Sequence, residues 1–198
     1  MNRPLLVGIT GGIGAGKSVI SKIFKSLGTL VYDADSRAKW LMSHSENLQS
    51  AVKVLFGEES YKDGGLNREH IASLAYHTPK LLTQLNALVH PEVDRDFNEW
   101  VSKNSSQPYL VKEAALLFET GSYKRLDKVI LVIAQKKDRL ERVLSRDSHR
   151  SEEDILAIMD KQLQDEKKQE KADIVLINDG STLLIPQILK LHEQFSTQ

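Results

Sequence analysis

The stretch GITGGIGAGKS, from Gly8 to Ser18, limits what this chain can fold into more than any other. The apolar run Leu5 to Thr10 leads into it and reads as a short buried strand. The next residues, KSVISKIFKSLG, carry Val19, Ile20, Ile23, Phe24 and Leu27 at helical spacing, with Gly28 as the stop. The glycines therefore join a strand to a helix. Gly11, Gly16, Lys17 and Ser18 fit G-x-x-x-x-G-K-[ST] without a gap. Glycine reaches backbone angles closed to other residues, so successive amides can turn inward around an anion. The helix N-terminus adds unpaired N–H groups and a positive dipole end. The combination is a phosphate cradle. Lys17 is placed for the β- and γ-phosphates of a nucleotide, and Ser18 for Mg²⁺.

Further strands are expected over Thr29–Asp35, near Tyr109–Phe118, over Lys128–Ala134 and over Ala172–Asp179, the last followed by the amphipathic helix STLLIPQILKLHEQF. Strands alternating with helices imply an α/β fold with a mostly parallel sheet and helices on both faces. Two stretches are too long for simple crossovers. Residues 36–107 carry helical patterns and read as an inserted substrate-binding domain. Residues 136–171 are rich in charge and read as one or two exposed helices forming a lid, with Ser151 as N-cap and Asp154 three residues on. The nucleotide-binding core is then 1–35, 108–135 and 172–198.

Lys+Arg and Asp+Glu are equal at 27 each in a chain of 198 residues. A balanced charge gives no electrostatic case for nucleic acid or an anionic membrane as partner. The absence of cysteine excludes disulfides and thiolate chemistry. No apolar run is long enough for a membrane helix, and the N-terminus lacks a signal-peptide design. The expectation is a cytoplasmic protein with a small-molecule partner, a monomer or small homo-oligomer.

Asp33 stands at a strand's carboxyl end, where open α/β sheets bind ligands. There it could take a proton from an attacking hydroxyl or hold Mg²⁺ through water. Asp35 is a candidate ligand contact and equally a helix cap. Arg139, Arg142 and Arg146 share a helical face and suit the charge on a transferring phosphoryl group. Glu113 lies inside an apolar strand, where an unpaired carboxylate is costly. His90, in LVHPEV, reads as structural when taken alone.

Among phosphate-loop proteins, a GTPase switch would need D-x-x-G, which is absent; QKKD at Gln135–Asp138 only mimics a guanine-reading motif. A transporter ATPase would need an L-S-G-G-Q-like stretch and a longer chain. A kinase explains both insertions, because it must seat an acceptor and keep water from the γ-phosphate. GITGGIGAGKS, YDAD, LNALVHPEV, LLFETG, DKVILV with Gln135 and Arg139, then Gln162, Lys167 and ADIVLINDG, occur in this order across nearly the whole chain.

In this set of motifs the chain resembles the dephospho-coenzyme A kinases, which are P-loop NTPases related to nucleoside-monophosphate kinases. The resemblance implies ATP-dependent phosphorylation of the ribose 3′-hydroxyl of dephospho-coenzyme A, giving coenzyme A and ADP. It implies that Gly12, Gly14, Ala15, Gly16, Lys17, Ser18 and Val19, with lid residues Arg142 and Arg146, hold ATP, and that Ser18 holds Mg²⁺. Asp33, Lys17 and Arg139 are the implied catalytic residues. Asp33, Asp35, His90, Leu117 and Glu119 are the implied acceptor contacts. The chain departs from the family's pattern at Val19, Lys39, Ala115 and Ile158.

Overall fold

The structure is a computed structural model and describes residues 3–197, except for the side chains of Tyr76, His77 and Pro79. It divides into two units: residues up to Asp33 together with those from Ser105 on, and residues Ala34–Asn104.

In chain order, the first unit opens with strand β1 (Leu5–Gly11), helix α1 (Lys17–Ser26) and strand β2 (Val31–Asp33). The second unit then supplies α2 (Ala34–His44), α3 (Glu46–Phe56), the short strands β3 (Tyr61–Lys62) and β4 (Gly65–Leu66), α4 (Arg68–His77) and α5 (Pro79–Lys103). The first unit resumes with β5 (Tyr109–Glu113), β6 (Lys128–Ile133), α6 (Lys136–Arg146), α7 (Glu152–Lys161), α8 (Asp165–Gln169), β7 (Ile174–Ile177) and α9 (Leu184–Ser196).

The main sheet runs β2-β5-β1-β6-β7 with every pairing parallel. A central parallel strand is buried on both faces, which is why β1 reads as one apolar run. On one face Val7, Ile9, Val111 and Ile130 meet Ile20 and Phe24 of α1 and Ile188 of α9. Phe24 has no exposed surface, and its truncation to alanine should cost about 3–5 kcal/mol. The connection leaving β1 runs to β2 on one side of the sheet and the connection leaving β6 runs to β7 on the other, so the carboxyl ends of β1 and β6 flank the topological switch point, where such sheets bind ligands.

The 136–171 segment folds into three helices, one more than the periodicity predicts. Val143, Ile155 and Met159 form a small core of their own, packed with Leu140, Leu144, Leu156 and Ile13. Ser151 and Asp154 form the expected capping box. All four strands expected after β1 are shorter in the structure, β6 by one residue and β7 by two at each end. β5 stops at Glu113 because Ala114–Thr120 turns, with the Thr120 amide bonded to the Leu116 carbonyl. β2 stops at Asp33 because Ala34 already starts α2, which puts Asp35 in a helix rather than in the strand.

In the second unit, the helical pattern over 36–57 splits at Ser45, whose hydroxyl accepts the Leu48 amide as the N-cap of α3. The β3–β4 hairpin has no period long enough to read, and its turn places Asp63 at φ 52°. Arg37 forms a two-pronged pair with Asp96 of α5 and stacks over Trp40, its guanidinium carbon 4.2 Å from the ring centre.

Candidate active site

The loop between β1 and α1 is shaped by two glycines at positive φ, where any side chain would be strained and crowded. Gly14 has φ 78° and Gly16 φ 102°, both in the left-handed region that side chains avoid. A Cβ on Gly14 would lie 2.4 Å from the Arg139 carbonyl oxygen, and one on Gly16 2.3 Å from the Asn178 amide nitrogen. Asn178, just after β7, donates to the Ala15 carbonyl at 2.8 Å. Lys17 folds back over the loop, with Nζ donating to the carbonyls of Gly11 (2.9 Å) and Gly12 (3.2 Å). Gly12 lies under the Arg139 guanidinium. Ser18 and Val19 are exposed on the first turn of α1, which carries no acidic residue to compete with an anion.

Asp33 ends β2, and its register partner is Glu113 at the end of β5; Glu113 in turn pairs with Ile9 of β1. With strands spaced by about 4.8 Å, Asp33 stands about 10 Å sideways from β1 at the carboxyl edge of the sheet. The phosphate cradle leaves β1 at that same edge.

The three arginines of α6 part company. Arg139 is buried; its Nε donates to the Ile13 carbonyl at 2.9 Å and its Nη1 to Asp165 at 3.0 Å. Arg142 donates from Nη2 to the Asn178 carbonyl at 3.1 Å, while its buried Nη1 has no hydrogen-bond partner among the described residues. Arg146 is exposed and paired with Asp147.

Leu117 has no exposed surface. It packs across β1, where a Cβ on Gly8 would come within 2.8 Å of it, so its side chain offers no surface to a ligand. Glu119 is engaged through Oε1 with the Leu163 amide at 3.0 Å. Asp35 and His90 lie in the helical unit, on the first turn of α2 and on α5, one residue before Pro91. That proline withholds the N–H which would bond the Ala87 carbonyl.

Sequence reasoning assigned no contact to Gln162, Asp165 or Lys168. Gln162 Oε1 accepts the Ile13 amide at 2.9 Å. The buried lysine of this region is Lys168 rather than Lys167, which is exposed. Only a fully buried position between exposed lysines marks it, and the alternation of a five-residue helix is too short to read. Asp179, next to Asn178, accepts the amides of Thr182 and Ser181, which hold its carboxyl down at about 2.

Among the described residues no cluster of three His, Cys, Asp or Glu could hold a metal by itself. A Mg²⁺ bridging nucleotide phosphates takes only one or two protein oxygens, and the exposed Ser18 hydroxyl beside the cradle fits that demand. No described helix is long and apolar enough to cross a membrane.

The family model for dephospho-CoA kinase matches residues 5–183. A dephospho-CoA kinase from Porphyromonas gingivalis is 38% identical over 194 residues, covering 98% of this chain and 96% of that protein. The solved structure of TT1252 from Thermus thermophilus superposes with a TM-score of 0.86 at 36% identity, covering 98% of each chain. A dephospho-CoA kinase from Campylobacter jejuni shares the fold, with a TM-score of 0.71 at 24% identity over 97% of each chain.

Proposed function

This chain belongs to the dephospho-CoA kinase family, and from that premise we infer that it transfers the γ-phosphoryl group of ATP to the ribose 3′-hydroxyl of dephospho-CoA, yielding coenzyme A and ADP. The observation that carries the reading is the glycine cradle at the switch point of the sheet, with Asp33 at the same edge. ATP is the co-substrate.

Each residue's role comes from its position. The amides from Gly14 to Val19 and the positive end of α1 receive the phosphates. Lys17 exchanges its loop carbonyls for β- and γ-phosphate oxygens and offsets their charge. Mg²⁺, held by Ser18, would neutralise charge on the β- and γ-phosphates. Asp33 accepts the proton of the attacking 3′-hydroxyl as the bond to phosphorus forms. Arg142, which donates to the carbonyl of Asn178 beside the cradle, supplies positive charge to the nucleotide. Asp35 and His90 hold the acceptor. The 136–171 segment acts as the lid that keeps water from the γ-phosphate.

A coupled ADP-release assay tests the reading with a panel of dephospho-CoA, AMP, CMP, shikimate, gluconate, adenosine and no acceptor. Release stimulated by dephospho-CoA alone supports it. Stimulation by another acceptor keeps the phosphate-loop kinase and moves the substrate.

A further inference from the structure

Glu119 sits in the turn after β5, and its Oε1 does two things. It accepts the Leu163 amide at 3.0 Å, and it lies 3.4 Å from Nζ of Lys168. Lys168 has no exposed surface, and its Nζ makes no hydrogen bond among the described residues. A buried ammonium without hydrogen bonds is costly to stability. An apolar side chain of the same length would avoid that cost, so packing alone does not account for a lysine there.

What the pair holds is the short link between α7 and α8. Leu163 is its centre. One residue earlier, Gln162 Oε1 accepts the Ile13 amide at 2.9 Å. Two residues later, Asp165 binds Arg139, whose Nε donates to the Ile13 carbonyl. The Ile13 side chain packs into the small core of Val143, Ile155 and Met159. Ile13 lies in the middle of the phosphate cradle. Its N–H, its carbonyl and its side chain are thus all gripped by the 136–171 segment, and the gripping link is tied down at Leu163.

We propose that Glu119 and Lys168 are positioning residues for phosphoryl transfer: they anchor the 162–165 strap, which through Gln162 and the Asp165–Arg139 pair fixes the Ile13 peptide and with it the phosphate cradle. Glu119 then acts on the nucleotide side through the strap and not by touching the acceptor. The proposal rests on the kinase reading above. The ammonium of Lys168 aims the Glu119 carboxylate, and the carboxylate aims the Leu163 amide. A cradle displaced by about 1 Å misplaces the γ-phosphate and costs about 100-fold in rate.

The test uses the full chain with Lys168→Met, which keeps length and volume and removes the charge. Glu119→Gln, which keeps an acceptor for Leu163, is read in parallel in case Lys168→Met does not fold. Gln162→Leu and the Lys168→Met/Gln162→Leu double variant complete the set. Thermal melts, binding of a fluorescent ATP analogue without acceptor, and steady-state kinetics are recorded for each. Lys168→Met should melt within about 3 °C of wild type or above it. Its kcat should fall by about 10- to 100-fold or its ATP affinity weaken, with KM for dephospho-CoA within about twofold of wild type. The double variant should lose no more than the worse single variant, because both cut one strap. Unchanged kinetics, a loss confined to KM for dephospho-CoA, or full additivity would overturn the proposal. Wild-type inactivity on dephospho-CoA would instead strike the kinase reading, and the nucleotide-binding comparison would still report on the strap.

Discussion

Asp33 and Glu113 are register partners on adjacent parallel strands, side by side at the carboxyl edge of the sheet. Glu113 separates Asp33 from β1, the strand that opens into the phosphate cradle. The proposed base is therefore carried by the sheet itself, on a rigid strand end.

Replacing Asp33 by asparagine keeps the shape and removes the proton acceptor. kcat should fall by about 10²–10⁴-fold while the affinity for an ATP analogue stays at the wild-type value. Loss of nucleotide affinity in a calorimetric titration would show that Asp33 acts mainly through the metal.

Lys17→Ala should lower turnover by about 100-fold or more and leave the circular dichroism spectrum unchanged. Its Nζ donates to the loop carbonyls of Gly11 and Gly12. Wild-type turnover in this variant would contradict the cradle reading.

Two arginines of one helix should lose stability by different amounts in urea unfolding. Arg139→Ala breaks a buried pair and a bond to the cradle backbone and should cost about 3 kcal/mol. Arg146→Ala removes an exposed pair and should cost less than about 1 kcal/mol. Equal costs would show that burial does not separate them.

Asp179 supplies a pH dependence. Amides of Thr182 and Ser181 hold its carboxyl at about 2 in the folded chain, against about 3.9 unfolded. A depressed folded value stabilises above the unfolded value and is lost as pH falls through the folded one. The urea midpoint of Asp179→Ala should therefore lie below wild type at pH 6 and converge with it between about pH 4 and pH 2. A gap that persists at pH 2 would assign the effect to packing.

The glycine cradle, α1 and the capping box at Ser151 are legible because each is local: glycine spacing, helical period and a cap three residues from its partner. The α5 helix is legible for the same reason, since its period runs unbroken from Pro79 to Lys103. The register that sets Asp33 beside Glu113 is not, because pairing across a long insertion is decided by which apolar faces meet. Leu117 sits in an apolar stretch that looks like a continued strand, yet it turns inward and closes over Gly8. The grip of Gln162 on Ile13 joins residues far apart in the chain, and sequence shows the glutamine without its partner. Lys168 differs from Lys167 only by which way a short helix faces.

The most direct measurement tracks ATP labelled at its γ-phosphate, with Mg²⁺, dephospho-CoA and the purified chain. The expected result is label on the acceptor as a 3′-phosphate monoester, with coenzyme A confirmed by mass and ADP released in equal amount. Label recovered only as inorganic phosphate, with dephospho-CoA unchanged, would contradict the account.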